Sequence, residues 1–323
     1  MPEDLQHLRR AAVRATLAPS LHNTQPWQLA IAGGELALLA DGSSQLRELD
    51  PSGRQLLISC GCALMNARVS LATAGYSAVR RLPDPDRPQL LAMIGGPHQD
   101  GPLSELAALD PMVELRQTNR RQFAEDDVPD ELVDRLVAVA AEEQGLLFPV
   151  VRDEHRYAVA SLSQRADRQQ NADAGYRGEL RRWTGVEPGR LDGVPASVTP
   201  HVDGSSGDQV PIRDFDTSGD GELPSHTGSL MSQCLLVLGT VSDNRESWLR
   251  AGEALERVLL EITRHGYAVS VFSQVIEIPY TRAALRQELG LAMCPQLVLR
   301  VGRAQRTPAT RRRRLVDVLS ESA

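Results

Sequence analysis

Apolar residues fall three and four apart along two long stretches of this chain, and each stretch closes on a glycine, Gly75 in one and Gly266 in the other. That spacing lines one face of an α-helix, and a glycine just beyond it reads as a helix C-cap. The stretches also match each other. Gly61, Ala63, Leu64, Gly75 and Tyr76 recur, at a constant offset of 191, as Gly252, Ala254, Leu255, Gly266 and Tyr267. In both copies an apolar segment follows, Ser77 to Val79 and Ala268 to Phe272. A proline-containing loop then leads to an apolar strand ending in glycine, Leu90 to Gly95 and Gln296 to Gly302. A solenoid would show three or more copies, so the pattern predicts a duplicated unit that pairs with itself.

Strand-like alternation is clearest early in the chain. Trp27 to Ile31 and Glu35 to Leu39 flank Gly33-Gly34, a two-residue hairpin signal. Further on, Pro129 in a first helical turn, Asp130 and Glu131 near the positive end, and Leu132, Leu136 and Val139 along one face predict a helix that Gly145 stops. The stretch from Gly185 to Gly228 has almost no periodic apolar pattern and is rich in Gly, Pro, Asp and Ser. It reads as a long loop, either disordered or a lid over a site.

Length and charge narrow the class. A chain of 323 residues suggests roughly two domains with a substantial core. The net charge of −7 disfavours a general nucleic-acid or anionic-membrane surface and favours a small-molecule partner. All 35 Lys+Arg residues are arginine. Without lysine, neither a P-loop nor a Schiff-base enzyme can operate. Cys60, Cys62, Cys234 and Cys294 are too few and too scattered for a disulfide scaffold, no metal spacing accompanies them, and Cys60-Gly61-Cys62 reads as packing. No charged-then-apolar leader opens the chain and its apolar runs look too short for a bilayer, so the expectation is a soluble, cytoplasmic protein.

Candidate chemistry gathers in three places. Ala18-Pro19-Ser20 and Asn23-Thr24-Gln25-Pro26-Trp27 place small, amide-bearing and aromatic groups in one stiff turn, suited to a planar heterocycle or to a structural corner. Arg116, Thr118, Arg120 and Arg121 form one basic cluster and Arg311 to Arg314 another. Each is a solvated patch, a phosphate clamp or, less readily, a nucleic-acid contact. No Gly-x-Ser-x-Gly elbow or His-Glu-x-x-His pair occurs; His98, His155, His201 and His226 are lone residues, and His265 complements a helix end.

Three motifs carry a resemblance: Ala18-Pro19-Ser20-Leu21-His22-Asn23-Thr24-Gln25-Pro26-Trp27, Arg116-Gln117-Thr118-Asn119-Arg120-Arg121-Gln122-Phe123 and Trp248-Leu249-Arg250-Ala251-Gly252-Glu253-Ala254-Leu255. With them the chain resembles the nitroreductase family of FMN proteins, and within it the Acg-type branch, in which two nitroreductase-like halves are fused. The resemblance implies an α+β fold in which each half is a mixed or antiparallel sheet flanked by helices. Residues 1–105 would form the flavin-edge half and 106–323 the phosphate-binding half, with 185–228 as a lid insertion. It further implies FMN, with Arg116, Thr118, Arg120 or Arg121, Arg312 and Arg313 on the phosphate. Pro19, Ser20, Leu21, His22, Asn23 and Gln25 would edge the ring, and Gln274 and Glu277 would face its far side.

The first half lacks a basic segment ahead of Leu5 to Leu17, and Ala140 to Gly145 stands where a second Pro-Ser-x-x-Asn loop belongs. One flavin site per chain is therefore expected, with its pseudo-equivalent dead and a monomer sufficient, although a higher oligomer is not excluded. The implied activity is ping-pong hydride transfer from NAD(P)H through FMN to a small organic acceptor, with no catalytic side chain; the alternative is an FMN-sequestering protein with little turnover.

Overall fold

The computed structural model describes residues 2–82, 84–96, 103–187, 189–201, 210–211, 213–217, 219–225 and 233–321. His98, His226 and part of the 185–228 stretch lie outside them. The chain begins with α1 (Pro2–Thr16), β1 (Trp27–Ala32), β2 (Glu35–Ala40), α2 (Arg54–Ala72), β3 (Val79–Arg81) and β4 (Leu90–Gly95). It continues through α3 (Asp110–Leu115), α4 (Asp130–Glu142), β5 (Leu146–Pro149), α5 (Asp153–Ala172), α6 (Ala174–Trp183) and β6 (Cys234–Thr240). It closes with α7 (Arg245–Arg264), β7 (Ala268–Phe272), α8 (Gln274–Glu277), α9 (Pro279–Glu288), β8 (Cys294–Gly302), α10 (Leu315–Val318) and β9 (Leu319–Glu321).

The architecture is α+β. The first sheet has strand order β3-β4-β2-β1-β9 and the second β5-β6-β8-β7. Apart from β9, and from α5, α6, α8 and α9, which stand between paired strands only in the second sheet, both follow one order of helix, two strands, helix and two strands, with matching strand orders β3-β4-β2-β1 and β7-β8-β6-β5. Every pairing is antiparallel except that of β9, which runs parallel to β1 and so brings the end of the chain into the first sheet. The hairpin forms as expected: Gly33 and Gly34 have φ of +57° and +76°, the left-handed pair that matches strand twist.

Burial follows from what each sheet faces. In β1 alternate residues Trp27, Leu29 and Ile31 are buried, because α1 and α2 cover only one face. Strand β8 is buried almost throughout, with the α4 and α7 core on one side and α5, α8 and α9 on the other.

Helices α2 and α7 cross at the centre. An added Cβ on Gly61 would lie 2.1 Å from the Leu249 carbonyl oxygen, and one on Gly252 would lie 2.0 Å from that of Ile58. The contact is reciprocal, and Ile58 and Leu249 stand at the same offset of 191 as the two glycines. An isologous two-fold contact has this form.

Two expectations are corrected. Helix α2 is long and apolar enough to cross a membrane, contrary to the reading that all apolar runs are too short, but 94% of its most apolar window is buried inside the protein, as in a core helix. Helix α4 ends at Glu142 and turns on a left-handed Gln144 (φ +62°), ahead of the Gly145 expected to stop it. Gly145 serves packing, since a Cβ there would meet Ala254 Cβ at 2.5 Å.

Candidate functional site

The turn between α1 and β1 is strained and clamped. His22, Asn23 and Gln25 all have positive φ, of 51°, 57° and 50°, a conformation that side chains other than glycine adopt at a cost. Hydrogen bonds hold it there. Ser20 Oγ accepts from Gln25 N (2.9 Å). Asn23 Nδ2 donates to the carbonyls of Gly193 (3.0 Å) and Arg311 (3.1 Å), and Asn23 Oδ1 accepts from Arg312 Nη1 (3.0 Å). Gln25 donates to Leu191 O (2.8 Å) and accepts from Arg313 N (2.8 Å). The loop is thus pinned between the 189–193 segment and the C-terminal arm.

Beside it opens a cavity walled by Pro19 to His22 of this loop, Gln55, Ile58, Ser59 and Cys62 of α2, Leu255 of α7, and Ser270 to Gln274 at the end of β7. Thr118, Asn119 and Arg120 form one end, Arg213 and Phe215 another. Its walls are mostly apolar, but His22 Nδ1 and Gln55 Nε2 are buried there without a hydrogen-bond partner among the described residues. Such groups cost free energy until something pairs with them. Burial pushes the His22 pKa well below 6.5, so the ring is neutral. Burial likewise raises the Cys62 thiol well above its usual value, which rules out a resting thiolate.

A second cavity adjoins the first and shares Pro19, Ser20, Thr118 and Arg120 with it; Asn23, Arg116, Thr310 and Arg312 are among its other lining residues. Among the described residues its one carboxylate, Glu114, is already paired with Arg14. Burial, and then the neighbouring Arg116, push Arg120 down to about 10 and Arg312 down to about 9. Arg116 Nε and Nη1 and Arg312 Nε are buried and make no hydrogen bond among the described residues. Three crowded guanidiniums, two of them with a buried donor still unspent, suit an oxyanion such as a phosphate.

The predicted residues divide in two. Pro19, Ser20, Leu21, His22, Asn23, Arg116, Thr118, Arg120, Gln274 and Arg312 line one or both cavities. Gln25, Arg121, Glu277 and Arg313 line neither. Arg313 Nη1 donates to Gln25 O (3.3 Å) and Asp41 Oδ2 (3.5 Å), and Arg121 N to Asn119 Oδ1 (3.0 Å). Glu277 stands behind the wall, where it pairs with Arg213 at 2.5 Å and accepts from Gln170 Nε2 at 2.6 Å.

Arg213 was missed in sequence. It also donates to Tyr176 Oη (2.7 Å) and Ser273 Oγ (3.2 Å), while Phe215 two residues on meets His22 edge to face with ring centroids 5.6 Å apart. The available signal was that Phe215 is the sole aromatic residue between 185 and 228. The described parts of that stretch are packed, with Val194, Val198, Val210 and Leu223 buried, so the disordered reading fails for them.

The chain is 36% identical over 98% of its length to "Putative NAD(P)H nitroreductase Rv3131" of Mycobacterium tuberculosis, covering 92% of that protein. It is 33% identical over 96% of its length to "Putative NAD(P)H nitroreductase acg" of the same organism, covering 94% of it. The chain belongs to the nitroreductase family, in its Acg-type branch. No family model matches it. Among solved structures, the FMN-dependent nitroreductase NfnB from Mycobacterium smegmatis, in complex with NADPH, covers 68% of the chain and all of its own length at a TM-score of 0.40 and 16% identity. That likeness is too partial to add to the assignment, which stands on the full-length relatives. In this chain the strained loop and the Arg116 and Arg120 part of the arginine cluster fall on two of the three motifs that carried the resemblance, while Arg312 lies outside them.

Proposed function

We propose that this nitroreductase-family chain binds one FMN and passes hydride, in ping-pong fashion, from NAD(P)H to a small organic acceptor. The observation that carries the reading is the pair of adjoining cavities, one mostly apolar and edged by unpaired polar groups, the other lined by Arg116, Arg120 and Arg312, of which Arg116 and Arg312 keep unspent donors. The residues present fit the group. Arg116, Arg120, Arg312 and Thr118 would hold the phosphate; Pro19, Ser20, Leu21 and His22 would edge the ring, with Gln55 and Gln274 opposite. FMN, when bound, supplies hydride acceptance and donation. The protein's share is to orient the ring, exclude water with Ile58, Leu255 and Phe215, and neutralise charge.

We infer further that the chain is a fused duplication, with halves 1–105 and 106–323 and an insertion at 185–228, acting as a monomer in the cytoplasm. The common strand plan and the reciprocal crossing at Gly61 and Gly252 support it. The pseudo-equivalent of Cys62 is Glu253, whose carboxylate accepts from Arg68 (2.6 Å) and Arg81 (2.6 Å). A buried ion-pair cluster there leaves room for one flavin site only.

A second reading, flavin storage with little turnover, draws on Arg213 and Phe215, which the Glu277 ion pair fastens across the ring cavity. One experiment separates the two. The flavin-to-polypeptide ratio of the isolated protein should be one, and anaerobic NADPH or NADH should bleach the flavin band. Bleaching by dithionite alone supports storage, and a ratio of two or a colourless protein indifferent to added FMN overturns both.

A further inference from the structure

Behind the arginines of the phosphate cavity lies a carboxylate that the proposed function does not use. Glu256, on α7, is fully buried, with no exposed surface. Its nearest cation is Arg116, with Nε 3.3 Å from Oε1, yet neither carboxylate oxygen accepts a well-formed hydrogen bond among the described residues. Among the described residues four groups act on it electrostatically or by hydrogen bonding. Cys62 and Asn66 come from α2, Arg116 from the segment after α3 and Arg312 from the C-terminal arm. Two of those four, Arg116 and Arg312, also line the phosphate cavity.

We propose that Glu256 is the proton-exchanging counter-ion of the phosphate site. It balances Arg116 and Arg312 while no anion is bound and takes a proton from solvent when the cofactor's phosphate arrives. The inference rests on the FMN reading above and deepens it. The physical argument is competition: a dianion draws the same two guanidiniums and adds negative charge beside a carboxylate already stripped of water, and both effects favour its neutral form. Burial already places the Glu256 carboxyl at about 7, where a further push moves it through the neutral range. Glu256 is thus a positioning residue that acts through the arginines.

The sign follows from linkage. If the bound state holds one more proton than the free state, affinity falls as pH rises, by at most about tenfold per pH unit. The window of interest lies above pH 7, because the phosphate's own second ionisation, near about 6, works in the opposite direction below it.

The test is FMN binding to the flavin-free chain by fluorescence quenching between pH 7 and 9. Riboflavin serves as the phosphate-free control, and proton uptake is read by calorimetry in buffers of different ionisation enthalpy. We expect the wild-type Kd for FMN to rise about three- to fivefold from pH 7 to pH 8, with net proton uptake, and the riboflavin Kd to stay level. Glu256→Gln should bind FMN with a level Kd. A wild-type Kd that does not change with pH, or an uptake of zero, overturns the inference whether or not the variant folds. The same slope in Glu256→Gln also overturns it and assigns the protons to the arginines. A wild-type chain that binds no FMN at any pH overturns the cofactor reading and this inference with it.

Discussion

Replacing Gly61 by alanine tests whether the helix crossing that frames the cavity is as tight as its geometry. An alanine Cβ would stand 2.1 Å from the Leu249 carbonyl oxygen and 2.8 Å from Gly252 Cα, where ordinary contact begins at 3.4 Å. Both obstacles are main chain, so no rotamer change relieves them, and α2 and α7 must part by about 1 Å, which falls at or above the upper end of the usual overpacking cost of about 1–3 kcal/mol. Helix propensity returns about 1 kcal/mol in favour of alanine. A net loss of at least about 2 kcal/mol is therefore expected, measured by equilibrium unfolding in urea. Adding Gly252→Ala should cost less than the sum of the two, because one parting of the helices relieves both clashes. Gly178→Ala in α6 is the control: its Cβ meets only Arg181 Nη2 at 4.0 Å, and stability should hold or rise. A Gly61→Ala chain within about 0.5 kcal/mol of wild type would refute the reasoning, since that is the range of surface substitutions.

Asn23→Ala removes bonds to Gly193, Arg311 and Arg312 and should weaken FMN retention at least about tenfold, checked by flavin content after gel filtration. Arg312→Glu should abolish FMN binding while Arg313→Glu keeps most of it, because Arg312 lines the phosphate cavity and Arg313 points instead to Gln25 and Asp41; equal losses in a fluorescence titration would move the phosphate site. Arg213→Ala and Glu277→Ala should each cost about 3–5 kcal/mol in chemical denaturation, and together far less than the sum, since each alone strands a buried charge. His22 has a folded pKa held below 6.5 by burial, so the unfolded chain binds its proton first and stability falls as pH drops below 6.5. His22→Gln should flatten that fall between pH 6.5 and 5 in urea midpoints; an unchanged profile would show that the ring is not buried.

What the sequence by itself determined is the part of the protein held by neighbours. The Gly33-Gly34 hairpin, α4 with its apolar stripe, and α2 and α7 at the same offset depend on spacing within a few residues, and that spacing is written in the chain. So is the donor chemistry of Arg116, Arg120 and Arg312. Helices α5 and α6 were harder to see, because the buried positions of α5 include His155, Ser163 and Gln170 and not a clean apolar stripe. Only the tertiary structure decided which polar groups keep a free hand. Gln25 and Arg313 have the same chemistry as Asn23 and Arg312, yet only the latter two reach a cavity wall and only Arg312 of the four keeps a buried donor unspent there, because a side chain's type sets what it can bond and its neighbours in space set what it does. The contacts that make the site join residues as far apart as Asn23 and Arg312, 289 positions along the chain. Arg213 reaches His22 across 191 positions, and β9 enters the first sheet from the chain's end. Pairings over such distances leave no period in the sequence, since they are selected by the packing of whole sheets and helices.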